Sequence, residues 1–143
     1  MVDPDLTHTN DQTSGQVRHW LRSGISFDPS TQAAGGSEQS SINDTTHVGP
    51  APPLGSGQHR YIFVLAREPD NYEGKTRRVH ETTNDLAARI RFDVVKYCEQ
   101  EGLDIVGLAW FKVKPTAKST ADNVALTGES VLAQVKNALS SSS

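Results

Sequence analysis

The sequence has few of the features that identify several large classes of protein. Its 143 residues include one cysteine, Cys98, which excludes an intrachain disulfide framework and a cysteine-rich zinc site. No apolar run approaches the roughly 18–20 residues that span a bilayer, and the first 14 residues lack the basic and apolar pattern of a signal peptide. Acidic residues outnumber basic ones, 17 to 14, so the positive surplus of a general nucleic-acid binder is missing as well.

Apolar residues make up 35% of the chain, and its mean hydropathy is -0.51. The length suits one compact domain, which we place at residues 1–139, with a disordered serine tail at 140–143. The polar surplus is concentrated in residues 28–58, which are rich in Gly, Pro, Ser and Thr and are predicted to form one long loop. Its first part, 28–46, is predicted to be a flexible insertion.

Two apolar segments predict buried strands. Tyr61 to Ala66 is a continuous run rich in aromatic and β-branched residues, which is typical of a strand covered on both faces. Leu103 to Val113 predicts a second buried strand, with Ile105, Ala109, Phe111 and Val113 on one side. Met1 to Asp5 resembles the end of a further strand, whereas Val17 to Leu21 is too short for its periodicity to distinguish helix from strand.

Two segments have the spacing of amphipathic helices. Asn84 to Glu101 carries apolar residues at helical intervals, with Asn84 as a candidate N-cap and Gly102 as a candidate C-cap. Glu129 to Leu139 has the same pattern, and we expect this helix to pack on the domain, because Lys136 is the only cation on its polar face.

Four polar clusters adjoin these segments, and each taken alone has an ordinary explanation. They are Asp3-Pro4-Asp5, His19, the turn from Gly49 to Pro53, and His59-Arg60-Tyr61. Asp-Pro-Asp is most often a turn, and a lone histidine beside a tryptophan is more often a satisfied, semi-buried residue than a ligand.

The clusters together resemble the phosphatidylethanolamine-binding protein family. Asp-Pro-Asp is followed by His19, sixteen positions after Asp3, and then by Gly-Pro-Ala-Pro-Pro-Leu-Gly-Ser-Gly-Gln-His-Arg-Tyr at residues 49–61. Phe92-Asp93, Tyr97, Gly102-Leu103 and residues 105–111 are similar to a later stretch of that family. The resemblance covers residues 1–28 and 47–113.

The resemblance implies a mainly β fold, a β-sandwich with peripheral helices, and a pocket at one end of the central sheet that binds anions such as a phospholipid headgroup. Asp3, His19, His59 and Tyr61 would line this pocket, with Gly49 and Pro50 at its rim and Asp5, Pro53 and Arg60 shaping its walls. We expect no cofactor, no metal ion and no catalysis. Because family members carry further strands before Asp-Pro-Asp, we expect the sandwich to lack its N-terminal strands.

The chemistry of these side chains agrees with an anion pocket. Histidine rings and a tyrosine hydroxyl donate hydrogen bonds, and a histidine becomes cationic near neutral pH. Asp3 is an unexpected neighbour for an anion, and its expected role is to orient His19, to raise the pKa of His19, or to accept from a ligand ammonium. We expect a cytoplasmic protein, or a secreted one if a signal peptide precedes Met1.

Two other functions remain open. An enzyme is disfavoured, since Cys98 has no activating neighbour in the sequence and Ser56 lacks the Gly-x-Ser-x-Gly context of a nucleophile elbow. Inhibition of a partner protein is the stronger alternative, because the family includes carboxypeptidase Y inhibitors of fungi and Raf kinase inhibitors. A serine carboxypeptidase and a kinase are therefore candidate partners.

Overall fold

A computed structural model describes residues 1–30, 33–36, 45–70, 72 and 89–118. Four antiparallel strands form one sheet in the order β2-β1-β5-β6, and β3 pairs with β4 in a separate hairpin. In chain order the elements are β1 (Val2–Asp3), β2 (Val17–Arg18), β3 (Ile25–Asp28), β4 (Ala33–Gly36), β5 (His59–Arg67), α1 (Val94–Glu101) and β6 (Asp104–Val113). The described part of the chain is thus mainly β, as predicted.

The two long strands confirm both strand predictions and pair along their whole length. The register runs from His59 opposite Val113 to Arg67 opposite Asp104, with an irregularity between Leu65 and Ala66. Leu65 faces Gly107 and Ala66 faces Ile105, so Val106 is an extra, bulged residue. Because a bulge reverses the alternation of side chains, Ile105 lies on the opposite face from Ala109, and the prediction that they share a side is wrong.

The prediction that both strands are buried is also wrong for most of their length. Leu65 is 61% exposed, Leu108 68% and Trp110 62%, whereas Tyr61 is 1% exposed. An apolar run is buried only where a second layer packs over it. In the described residues, that covering is complete only at the end of β5 that begins with His59.

The helix is shorter than predicted and begins at a different residue. Arg91 has a left-handed φ of 59°, and Phe92 pairs with Gln16 in an antiparallel bridge, so residues 89–92 are not part of the helix. The Asp93 carboxylate accepts from Val95 N at 3.1 Å and Lys96 N at 3.0 Å, which makes it the N-cap. Gly102, with φ 71°, is the C-cap as predicted, and Asn84 lies outside the described residues.

The long polar segment contains more regular structure than predicted. Ala33–Gly36 lies within the predicted insertion loop but pairs with Ile25–Asp28 as a strand. The undecided segment after Gln16 is a strand over Val17–Arg18. Residues 129–143, with the predicted second helix and the serine tail, lie outside the described residues. No helix in the described ranges is long and apolar enough to cross a membrane.

Helix α1 packs through Tyr97 and Cys98, which are both buried. Their apolar neighbours include Leu21, Ala66 and Leu103. This packing connects the helix to β5 and to the segment after β2. Burial raises the pKa of the Cys98 thiol, which disfavours the reactive thiolate form.

Two glycines with the same backbone conformation provide a test of one contact. It is the contact between the loop that joins β1 to β2, which contains Gly15, and the segment before α1. Gly15 and Gly24 have φ of 66° and 67°. A Cβ on Gly15 would lie 2.9 Å from Arg91 Cα, whereas nothing lies within 4 Å of one on Gly24. We expect Gly24→Ala to lower the free energy of unfolding by about 1 kcal/mol through backbone strain alone. Gly15→Ala should lower it by at least twice as much, because the Arg91 backbone must also move.

Urea unfolding followed by tryptophan fluorescence measures both variants. Equal losses for the two variants would contradict the close packing of Gly15 against Arg91.

Candidate functional site

The buried carboxylate of Asp3 is the centre of the site. Val2 pairs with Ile62, so alternation along β1 directs Asp3 to the face of the sheet that carries Tyr61. Asp3 Oδ2 lies 2.7 Å from His59 Nδ1, and Oδ1 accepts from Asp5 N at 2.7 Å. The Tyr61 hydroxyl is a third hydrogen-bond partner. Asp3 is only 3% exposed, and its bonds connect β1 and the turn at Asp5 to the start of β5.

His59 uses both ring nitrogens within the protein. Nδ1 faces Asp3, and Nε2 lies 2.7 Å from Ser56 Oγ. The residue is 1% exposed, and its ring stacks on Tyr61 at 6.5 Å between centroids. A ligand that bound His59 directly would have to replace one of these bonds, so direct contact between His59 and a ligand stays a prediction.

His19 follows β2 and is held differently. Nδ1 lies 3.0 Å from the Val48 carbonyl oxygen, which can only accept, so Nδ1 carries a proton. Nε2 has no hydrogen-bond partner among the described residues, and the nearest charged atom is Asp3 Oδ2 at 4.0 Å. The ring edge of His19 contacts Tyr61 at 5.1 Å. His19 therefore offers the one ring nitrogen of the cluster that a ligand could take without breaking a bond.

Burial lowers the pKa of His19, and the charges of Arg89 and of the Met1 amino group lower it further. The Val48 carbonyl and the Asp3 charge act in the opposite direction but do not outweigh burial. The expected effect of Asp3 on His19 is thus present but smaller than the cost of burying a cation. The hydrogen bond of Asp3 orients His59 rather than His19.

Tyr61 closes the inner end of the cluster. Burial, with the charge of Asp3, raises the pKa of its hydroxyl far above the usual range, so this group stays protonated. The hydroxyl is bonded to Asp3 and to the backbone of Ala51. Its ring stacks on Phe111 of β6 at 5.5 Å, which anchors the site to both long strands.

The turn from Gly49 to Pro53 lies beside this cluster. Gly49 is exposed, Pro50 is half-buried, and the space where a Cβ of Gly49 would be is open. The Pro53 carbonyl accepts from Ser56 Oγ at 2.7 Å and from Ser56 N at 3.3 Å. Hydrogen bonds hold both ends of the turn: Val48 bonds to His19 before it, and Pro53 at its end bonds to Ser56.

Asp5 and Arg60 form a second buried carboxylate site. Arg60 binds Asp5 in bidentate fashion, with Nε 2.8 Å from Oδ2 and a terminal nitrogen 2.7 Å from Oδ1. Asp5 also accepts from the backbone nitrogens of Asn10 and Arg60. Burial acts to raise the pKa of Asp5, but the hydrogen bonds from Arg60 and Asn10 outweigh it, and the pKa is lowered. The Arg60 charge is therefore compensated inside the protein.

Sequence reasoning missed two residues that support the cluster. Ser56 was considered only as a nucleophile, although its position three residues before His59 was a usable signal. Arg89 had no signal, since it lies within the segment predicted to be an amphipathic helix, where an arginine is an ordinary residue of the polar face. Its guanidinium donates to the carbonyls of Arg18 and His19, each at 3.2 Å, and of Thr46 at 2.9 Å. In the described part of the chain, no group of three or more His, Cys, Asp or Glu side chains could hold a metal ion.

The buried ion pair gives a prediction for stability and its dependence on pH. Asp5→Asn should lower the free energy of unfolding by about 2 kcal/mol at pH 7, because it removes the charge of a fully buried acceptor of four hydrogen bonds, while the Arg60 side chain is 34% exposed and partly solvated. A lowered pKa in the folded state stabilises the protein above the unfolded value of about 4, and this contribution is lost as pH falls through the folded value. The deficit of Asp5→Asn should therefore shrink in acid.

Asp104→Asn is the matched control. Asp104 pairs with Arg67 at 2.6 Å, but both side chains are more than two-thirds exposed, so solvent screens the pair and its loss should lower the free energy of unfolding far less than Asp5→Asn does. Urea unfolding at several pH values compares the two variants. Equal losses for the buried and the exposed carboxylate would contradict the role given to Asp5.

Comparisons with known proteins agree with this arrangement. The family model described as phosphatidylethanolamine-binding protein matches residues 1–127. The phomoidride biosynthesis cluster protein N of Talaromyces stipitatus is 29% identical over 112 residues, which cover 78% of this chain and 55% of that protein. The carboxypeptidase Y inhibitor of Saccharomyces cerevisiae is 25% identical over 122 residues, covering 78% of this chain and 56% of the inhibitor.

Among solved structures, carboxypeptidase Y inhibitor in complex with its cognate proteinase has a similar fold. The TM-score is 0.55 with 19% sequence identity, over 80% of this chain and 57% of that chain. At this identity the likeness concerns the fold alone. The chain spans somewhat more than half the length of the curated relatives it matches.

Proposed function

The chain belongs to the phosphatidylethanolamine-binding protein family, and we propose that it is a binding protein whose pocket takes a phosphate-bearing ligand, such as a phospholipid headgroup. The observation that carries this proposal is the Nε2 atom of His19. Among the described residues it has no hydrogen-bond partner, and the residue is 8% exposed. A ring nitrogen that is not bonded to the protein can bond a ligand or a water without first losing another hydrogen bond.

The phosphate end of a headgroup fits this atom best. A protonated His19 donates to a phosphate oxygen through Nε2, in a charge-assisted hydrogen bond. The Asp3 carboxylate already accepts from Asp5, His59 and Tyr61. Binding of a ligand ammonium at Asp3 therefore has less support than binding of a phosphate at His19.

Titration with phosphoethanolamine by calorimetry tests the proposal. We expect saturable binding to the full chain, and His19→Ala should weaken it at least tenfold because a charge-assisted bond is removed. His8→Ala is the matched control, since His8 is exposed and its ring bonds to the neighbouring Thr7 hydroxyl, and it should leave the affinity unchanged. Equal affinity of the two variants would count against a ligand contact by His19.

The affinity should also depend on pH in one direction. Because burial lowers the pKa of His19, the free ring is mostly neutral at pH 7, and an anion binds the protonated form more tightly. Binding therefore takes up a proton, and the affinity should fall as pH rises through the range in which His19 loses its charge. A titration that is flat between pH 5 and 8 would contradict this assignment.

Inhibition of a serine carboxypeptidase is a second candidate, and the name of the yeast relative supports it. Incubation of carboxypeptidase Y with increasing amounts of the chain, followed by assay of peptidase activity, tests this candidate. Stoichiometric loss of activity would support it, and undiminished activity at excess chain would count against it. A kinase partner, the absence of catalysis and a cytoplasmic location stay predictions.

A further inference from the structure

We infer that Ser56 holds His59 in its doubly protonated form, and that this cation cancels the charge of Asp3 so that an anion can enter the pocket. The ligand named here rests on the proposed function. The state of His59 is a property of the free protein and can be tested without any ligand.

The proton positions follow from the acceptors around His59. Ser56 Oγ lies 2.7 Å from the Pro53 carbonyl oxygen and 2.7 Å from His59 Nε2. Each of these two short contacts needs a proton between its heavy atoms, and the Ser56 hydroxyl has only one. The Pro53 carbonyl can only accept, so the hydroxyl proton serves that contact, and a lone pair of Oγ faces His59. Nε2 must then be a donor.

The other nitrogen of the ring is a donor for the same reason. His59 Nδ1 lies 2.7 Å from Asp3 Oδ2, and an ionised carboxylate has no proton to offer. An imidazole with a proton on each nitrogen is an imidazolium. Asp3 and His59 thus form a buried pair of opposite charges, with Ser56 as the second acceptor of the cation.

The same three residues have the connectivity of a nucleophilic triad, but the proton of Ser56 is in the wrong place for that chemistry. A nucleophilic serine donates its proton to a neutral histidine, whereas here the hydroxyl donates to Pro53. Ser56 is 8% exposed and His59 1%, which limits access for a substrate. Ser56 is therefore a positioning residue, which acts on the ligand through His59 and Asp3.

The pair removes an electrostatic obstacle. An ionised Asp3 beside a neutral His59 would leave one negative charge in the site, and like charges repel most strongly where water is excluded. Three titratable groups lie around this carboxylate, namely His59, His19 and Tyr61, and Tyr61 stays protonated. The nearby charge of Arg60 is compensated by Asp5. The charges of Arg89 and of the Met1 amino group also act on this end of the site, through His19, but protonated His59, at 2.7 Å, is the cation that contacts the Asp3 carboxylate directly.

Nuclear magnetic resonance of the imidazole nitrogens of His59 tests this state in the ligand-free full chain at pH 7. We expect both nitrogens to be protonated in the unmodified protein and in Ser56→Thr, which keeps a hydroxyl. Ser56→Ala removes an acceptor, so the neutral form of His59 should increase. A neutral His59 in the unmodified protein, or no change in Ser56→Ala, would overturn the inference.

Binding of inorganic phosphate gives the functional readout. Ser56→Ala should weaken the binding of inorganic phosphate about tenfold at pH 7. Ser56→Thr should stay within about twofold of the unmodified protein. If Ser56→Ala is folded and binds as tightly as the unmodified protein, the inference fails. If the unmodified protein does not bind phosphate, the proposed function fails, and the nitrogen spectra still decide the state of His59.

A fluorophosphonate probe distinguishes the positioning role from a nucleophilic one. We expect no covalent labelling of Ser56, because its hydroxyl proton is not directed to a base. Labelling that is lost in Ser56→Ala would overturn the positioning role.

Discussion

Burial of the Asp3 carboxylate is the constraint around which this end of the sheet is organised. An ionised carboxylate with 3% of its surface exposed is stable only if several donors surround it. The donors come from three places: the backbone of the same turn at Asp5, the first residue of β5 at His59, and the hydroxyl of Tyr61 two positions further on. The buried carboxylate of Asp5 is likewise surrounded by donors, which come from Arg60 and Asn10. The Asp-Pro-Asp turn therefore ties β1 to β5 through two carboxylates, and the loops beside them take their positions from these bonds.

The two histidines next to Asp3 differ because their partners differ. His59 is enclosed between two hydrogen-bond partners, Asp3 and Ser56, which engage both of its nitrogens. His19 has a carbonyl at one nitrogen and nothing within hydrogen-bond distance at the other among the described residues. Two residues of the same type thus differ in how many of their ring nitrogens the protein engages.

The predictability of the fold depended on the range of the interactions involved. Strand β5 and strand β6 could be predicted because continuous apolar and β-branched runs favour the extended chain locally, and Gly102 could be identified as a C-cap because its backbone requirement is local. The exposure of Leu108 and Trp110 could not be predicted, since it depends on what packs over the sheet. Pairing with distant segments likewise sets two other features. One is the bulge at Val106, which turns Ile105 to the other face, and the other is the start of α1 directly after its N-cap, Asp93.

The same distinction between local and long-range interactions holds for the site. The sequence by itself determined the family, the two long strands and the four residues Asp3, His19, His59 and Tyr61 as neighbours, because the types and spacing of these residues form a motif that chance does not produce. Only the tertiary structure decided which of them bond to each other. Asp3 selects His59 over His19, Ser56 completes His59, and Arg89 supports the segment behind His19. These choices are made by differences of an ångström or two between groups up to 71 positions apart, and such distances exist only once the chain has folded.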